Sequence, residues 1–197
     1  MSQTRLSNTP MAHIESLPIN VSVVSQMIKQ EVTLTGPSEE LRSALLAMAE
    51  EYQAAGDDRY KSAIKDFSAF MHDLELYAQG LDLPPGWVQA TTFWLVCDNH
   101  IIGRSTLRHH LTPELEREGG HIGYDIRPSE RRKGYGTLIL KLTLEKAMSL
   151  GLSRVLVTCD ADNLASARII EKNGGKLQGQ VISDRSGKVV SQYWIEL

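Results

Sequence analysis

Apolar and polar positions along this chain repeat in blocks whose period switches between two and three-to-four. Val32 and Leu34 begin as a two-residue repeat that Gly36-Pro37 stops. After Ser38-Glu39-Glu40, whose acids suit a first helical turn, Leu41, Ala44, Leu45, Met48, Ala49 and Tyr52 form one stripe up to Gly56. Asp57-Asp58 caps a second helix, striped by Ile64, Phe67, Met71, Leu74 and Ala78 and ended by Gly80. Both stripes read as core-packing faces. Thr92 to Cys97 and Ile101 to Leu107 form a hairpin about Asp98-Asn99, and Thr112-Pro113-Glu114 opens a short capped helix. Ile122, Tyr124 and Ile126 alternate with Gly123 and Asp125 as a strand that Pro128 ends. Tyr135 to Leu150 is a helix with a broad apolar surface (Leu138, Ile139, Leu142, Ala147, Leu150) and a narrow polar edge (Lys141, Glu145, Ser149). Val155 to Cys159 is an unbroken apolar run, as in a strand covered on both faces. Asn163 to Lys172 is a helix closed by Asn173-Gly174-Gly175, and Leu177 to Ile182 pairs with Val189 to Ile195 about Ser186-Gly187.

Strand, helix and strand from 122 to 159 make a βαβ unit, so the two strands are expected to be parallel neighbours with a ligand at the carboxyl end of the first. Residues 1–30 lack a clear period and are expected to be a poorly ordered extension, leaving 31–197 as a single domain. A net charge of −3 gives no general case for nucleic acid. Cys97 and Cys159 lie far apart in apolar runs, which points to reduced thiols in a cytoplasmic protein. No apolar run approaches membrane-spanning length, and no secretory h-region is visible.

The candidate chemistry sits between 120 and 137. Arg131, Arg132 and Lys133 lead directly into a helix start at Gly134 and Tyr135, where free N–H groups and the helix dipole attract an anion. Gly134 and Gly136 permit a tight turn and a close approach of phosphate. A Walker loop is absent, and a dinucleotide fingerprint lacks its third glycine, with Ile139 in its place.

Arg131-x-x-Gly134-x-Gly136, preceded by Ile126-Arg127-Pro128, resembles the acyl-CoA pyrophosphate loop of the GCN5-related N-acetyltransferase (GNAT) family. Asn163-x-x-Ser166-x-x-x-Ile170-Glu171-Lys172-x-Gly174 resembles that family's second CoA-contact motif, and His121-Ile122-Gly123-Tyr124 resembles a strand of its ribosomal-protein N-terminal acetyltransferase branch. The resemblance implies an α/β fold: a mixed, mostly antiparallel twisted sheet with helices on both faces and a parallel strand pair splayed to hold acyl-CoA. It implies transfer of an acetyl group from acetyl-CoA to an amine of a small molecule or peptide N-terminus, without a metal, nucleic acid or membrane; it also allows a homodimer. Ile126, Arg131, Arg132, Lys133, Gly134, Tyr135, Gly136, Thr137, Asn163 and Ser166 are the implied cofactor contacts.

His121, Tyr124 and Ser166 are the candidate catalytic residues, each with a plainer alternative. His121 is a general base or a structural histidine; Tyr124 orients the amine or packs in the core; Ser166 donates to the leaving sulfur or caps its helix. Asn163 likewise contacts the cofactor or only caps. Asp125 binds an amine or caps the loop, and Trp87 lines a substrate pocket or covers the sheet edge. Two departures stand out: Ile170 replaces the family's frequent general-acid Tyr, and Gly175 its usual Phe. They leave open a CoA-binding sensor without turnover. A structural partner whose basic loop binds another anion is a third reading.

Overall fold

The computed structural model describes residues 31–197; the expected extension, residues 1–30, lies outside them. The elements are β1 (Thr33–Thr35), α1 (Arg42–Ala54), α2 (Lys61–Lys65), α3 (Phe67–Gln79), β2 (Ala90–Cys97), β3 (His100–Arg108), α4 (Pro113–Arg117), β4 (Ile122–Ile126), α5 (Tyr135–Ser149), β5 (Arg154–Asp160), α6 (Leu164–Lys172), β6 (Lys176–Ile182) and β7 (Val189–Glu196). Mixed α/β architecture with antiparallel pairing is therefore observed: β1-β2-β3-β4 form one sheet, and β5-β7-β6 form another.

Local chemistry accounts for most boundaries. Ser38 caps a short 3-10 turn, Glu39–Leu41, that leads into α1. Asp98 and Asn99 both take positive φ, which a tight hairpin between twisted strands requires. The single helix expected over 57–80 is instead two. Asp66 leaves helical geometry (φ −154°, ψ 96°), and its carboxylate accepts the Ala69 N–H at 3.0 Å, capping α3. The buried stripe shifts accordingly: Ala63, Phe67, Phe70 and Leu74 face inward, while Ile64 is exposed.

The first sheet separates two cores. On one face Trp94 and Ile101 pack beneath α1, α2 and α3 with Leu45, Met48, Tyr52 and Tyr60. On the other, Leu95, Ile102, Leu107 and Ile122 meet α5 through Ile139, Leu140 and Leu144. Leu150, expected on the inward face of α5, lies beyond its end and is exposed.

β4 and β5 come together, but no ladder joins them. Their contact is a clasp at one end. The His121 N–H donates to the Leu156 carbonyl at 2.7 Å, the Leu156 N–H donates back to His121 Nδ1 at 2.9 Å, and the Gly119 N–H reaches Thr158 Oγ1 at 3.1 Å. Gly120 makes this possible, since a Cβ there would lie 2.5 Å from the Leu156 oxygen. Beyond the clasp, from Ile122 to Ile126, the two strands share no backbone hydrogen bond.

Candidate active site

The alternation of an antiparallel ladder decides what faces the gap. Arg108 N–H donates to the His121 carbonyl and Arg127 N–H to the Ile102 carbonyl, both at 2.8 Å. With the register Gly103↔Ile126 through Leu107↔Ile122, the N–H groups of Tyr124 and Ile126 therefore point away from β3, toward the gap. The Ile126 carbonyl is taken: Tyr52 Oη lies 2.8 Å away and Arg131 Nε 3.1 Å away.

At the carboxyl end of β4, the chain turns through a 3-10 segment, Pro128–Glu130, into the start of α5. Arg132 (φ 61°) and Gly134 (φ 87°) both lie in the left-handed region. No backbone N–H from Arg132 to Gly136 donates within the described residues. This bundle of free donors at a helix N-terminus is an anion cradle. Its side chains are not equivalent. Lys133 pairs with Glu130 at 3.0 Å, and Arg131 folds back over the Tyr52 ring, 5.6 Å from its centroid. Arg132 makes no ion pair or hydrogen bond among the described residues. Gly136 is buried where α5 meets α6, and a Cβ there would meet Ile169 Cδ1 at 2.5 Å. Tyr135 and Thr137, both half-buried, open the first turn, and the Thr137 N–H donates to the Gly134 carbonyl at 3.1 Å.

α6 starts across the gap from β4. Asn163 is its cap, accepting the Ser166 N–H at 3.1 Å. The Ser166 hydroxyl caps nothing; it lies 2.9 Å from Tyr124 Oη, so Tyr124 spans the gap from β4 to α6. Burial pushes the Tyr124 phenol up to about 12, which keeps it protonated at neutral pH. Burial likewise raises the neighbouring Cys159 thiol. Ile170 is fully buried in the core under β5, and a Cβ on Gly175 would lie 2.4 Å from its Cγ2.

His121 occupies the clasp. A backbone N–H can only donate, so Nδ1 holds its lone pair toward Leu156 and the ring proton sits on Nε2. Burial, then the charges of Arg108 and Arg154, lower its pKa to about 4. The imidazole thus has no free lone pair for a substrate proton.

A cavity of about 830 Å³ lies on the opposite face of the sheet from α5, above Thr92, Arg104, Thr106 and Gly123. α3, the Gly86–Val88 loop, α4 and the loop after β6 wall it, and Trp87, tilted against Tyr77 at 5.0 Å, lines it. At its inner end stands Asp125. Its Oδ1 accepts from Tyr60 at 2.7 Å and lies 2.9 Å from Tyr52 Oη; Arg104 and Arg59 approach Oδ2 at 3.5 and 3.7 Å. Burial and this carboxylate push both phenols far above the usual tyrosine range. Asp125 thus joins β4 to α1 and to the turn that leads into α2 rather than capping the loop. Sequence reasoning placed Tyr52 in a packing stripe and missed Tyr60, Arg59, Arg104 and Arg108. One signal was available: a tyrosine in a stripe of Leu, Met and Ala needs a hydroxyl partner.

Residues 39–176 match the model of the acetyltransferase (GNAT) domain. The chain also resembles solved structures. One is an acetyl transferase from Salmonella typhimurium that modifies the N-terminal serine of ribosomal protein L7/L12 (17% identity, TM-score 0.62, 84% of this chain and 95% of that one). Another is Mycobacterium smegmatis RimJ in complex with CoA-disulfide (17%, 0.66, 84% and 81%). A third is the microcin C7 self-immunity acetyltransferase MccE with acetyl-CoA and AMP (16%, 0.64, 86% and 94%). No curated protein sequence matches this chain. Among the described residues, no helix is long and apolar enough to cross a membrane.

Proposed function

The chain belongs to the GNAT acetyltransferase family, an acyl-CoA-dependent acetyltransferase family, and from that premise we propose that it moves the acetyl group of acetyl-CoA onto an amine held in the cavity over β3 and β4. The observation that carries this reading is the gap beyond the His121 clasp, lined by the unpaired N–H groups of Tyr124 and Ile126 and spanned by the Tyr124–Ser166 pair. The pyrophosphate rests on the N–H groups from Arg132 to Gly136 with the Arg132 guanidinium beside them. The pantetheine arm lies in the gap, its amides facing β4, with Asn163 at its edge.

The amine nitrogen attacks the thioester carbonyl directly. Charge developing on that oxygen is met by the N–H of Tyr124 or Ile126. The C–S bond breaks, the thiolate leaves with the electron pair, and Tyr124, through or beside Ser166, supplies its proton and recovers one from water in the cavity. Ile170 takes no part. A thiol is far more acidic than an amine, so this assistance is modest. His121 holds the two strands together and is not the base. Asp125 is encircled by phenols and guanidiniums, so the amine proton passes to water in the cavity. Free Cys97 and Cys159 fit a reducing, cytoplasmic setting.

The test is incubation with acetyl-CoA and a panel of amines, following release of free thiol and the acetylated product. Amine-dependent thiol release supports the reading. Tight acetyl-CoA binding with no acceptor-dependent release across the panel overturns it in favour of a CoA sensor. With water as proton acceptor, log kcat/KM should rise with pH up to the amine's own pKa, with no enzyme limb between pH 6 and 7.

A further inference from the structure

The guanidiniums that line the cavity are matched to carboxylates with one exception. Arg59 and Arg104 flank Asp125, Arg117 pairs with Asp184 at 3.3 Å, and Arg185 with Glu118 at 2.7 Å. Arg108 has no carboxylate partner among the described residues. Its Nη1 donates to the Gly119 and Gly120 carbonyls at 3.1 and 2.8 Å, which uses both hydrogens on that nitrogen. The Nε–H and the Nη2 hydrogens, the edge that forms a two-pronged bond to a carboxylate, have no partner. Arg108 is also half-buried, and Arg185 is near enough to depress its pKa further than burial alone. Two cations thus line one cavity, and only Arg185 of the two is paired, with Glu118. The cavity's unpaired acids, Asp73 and Glu114, are both on exposed residues.

Position sets the geometry of what binds. Arg108 stands opposite His121, three strand residues from the Tyr124 position, or about 10 Å along the sheet. Building on the acetyltransferase reading above, we infer that the acceptor is an amine that also carries a carboxylate, seated on the Nε–Nη2 edge of Arg108, with a separation of the order of one or two peptide units. The tie to Gly119 and Gly120 fixes the guanidinium plane, so the fork is oriented before the substrate arrives.

The experiment uses the full chain with acetyl-CoA and two probes, diglycine and triglycine, each as free acid and as C-terminal amide. Turnover is followed by thiol release, and binding by calorimetry on the CoA-loaded protein. Acids should exceed amides in kcat/KM by at least about tenfold, as a charge-assisted bidentate bond requires. Arg108→Met should bring the ratio to about one, and Arg108→Lys, which keeps charge but loses the fork, should fall between. Because Arg108 also braces the turn at Gly119, Arg185→Ala serves as a second variant on an exposed residue, with an expected two- to fivefold drop in the ratio (about, for one screened charge). Equal or better use of the amides overturns the carboxylate site and leaves the acetyltransferase reading standing. Arg108-dependent binding of the acids without turnover supports the anion site and counts against the acetyltransferase reading. Neither binding nor turnover overturns both.

Discussion

The proposed cofactor side and the proposed acceptor side of the cleft are built from different materials. At the first, the free donors are backbone N–H groups at the start of α5, and the neighbouring cations are solvent-facing. At the second the polar groups are side chains brought from α1, the turn before α2, β3 and β4 and gathered around Asp125. The first arrangement tolerates change in any one side chain, because donors come from the main chain. The second is sensitive to loss of its central carboxylate, because Tyr60 is buried and has no other acceptor among the described residues.

The largest effect should follow from breaking the acceptor-side cluster. Asp125→Ala leaves the buried Tyr60 phenol and the Arg104 guanidinium without their partner, while Tyr52 keeps the Ile126 carbonyl and Arg59 keeps Asp57, at an expected cost of about 3 kcal/mol in stability. Chemical denaturation checks it; an unchanged midpoint would mean that the cluster is not a structural hinge between β4 and the helices.

The clasp comes next. His121→Ala leaves the Leu156 N–H buried without an acceptor and should cost about 2 kcal/mol of stability, read as a lower denaturation midpoint. The pH dependence has a definite sign. The folded imidazole titrates near 4 rather than 6.5, so the unfolded chain binds the proton more readily. Stability attributable to His121 should be complete above about pH 6.5 and decline as pH falls toward 4, and the His121→Ala variant should lack that decline. If instead the variant keeps its stability and loses the acidic limb of its rate profile, His121 is the base after all.

On the cofactor side, Gly134→Val forces a β-branched residue to φ 87° and should lower CoA affinity by at least about tenfold, or 1.4 kcal/mol. Arg132→Ala should cost less, roughly two- to fivefold, since the backbone donors remain. Calorimetric titration with CoA ranks the two, and the opposite order would move the anchoring role from the main chain to the side chain.

The smallest effects lie in the gap itself. Ser166→Ala should lower kcat by about 2–20-fold, the worth of one hydrogen bond, with little change in acetyl-CoA KM. Tyr124→Phe should lower kcat at least as much. A Tyr124→Phe enzyme with wild-type kcat would leave water as the proton source.

How much of this was legible beforehand follows the same division. The anion cradle could be read from a dozen consecutive residues, because a basic turn, two glycines and a helix start are local features. Gly136 has a second reason that the sequence does not show: a Cβ there would meet Ile169 Cδ1 at 2.5 Å. The sequence leaves capping open for both Asn163 and Ser166, since both types cap helices well; only the fold shows that Asn163 is the cap and that the Ser166 hydroxyl is engaged with Tyr124.

By itself the sequence determined the order of strands and helices, the hairpin at Asp98-Asn99, the helix starts at Ser38 and Asn163, and the anion loop. Each depends on residues within a few positions of one another, where periodicity, capping and glycine geometry act. The break at Asp66 is local as well, since its carboxylate caps the Ala69 N–H three residues on. Tertiary structure alone decided the end-only clasp that leaves a gap between β4 and β5, the role of His121 and the Asp125 cluster. These rest on pairs such as Tyr52 with Asp125, 73 positions apart, and His121 with Leu156, 35 apart. A residue's partner at such separations is set by how whole elements pack, and burial then fixes whether its hydroxyl, imidazole or carboxylate is free to react.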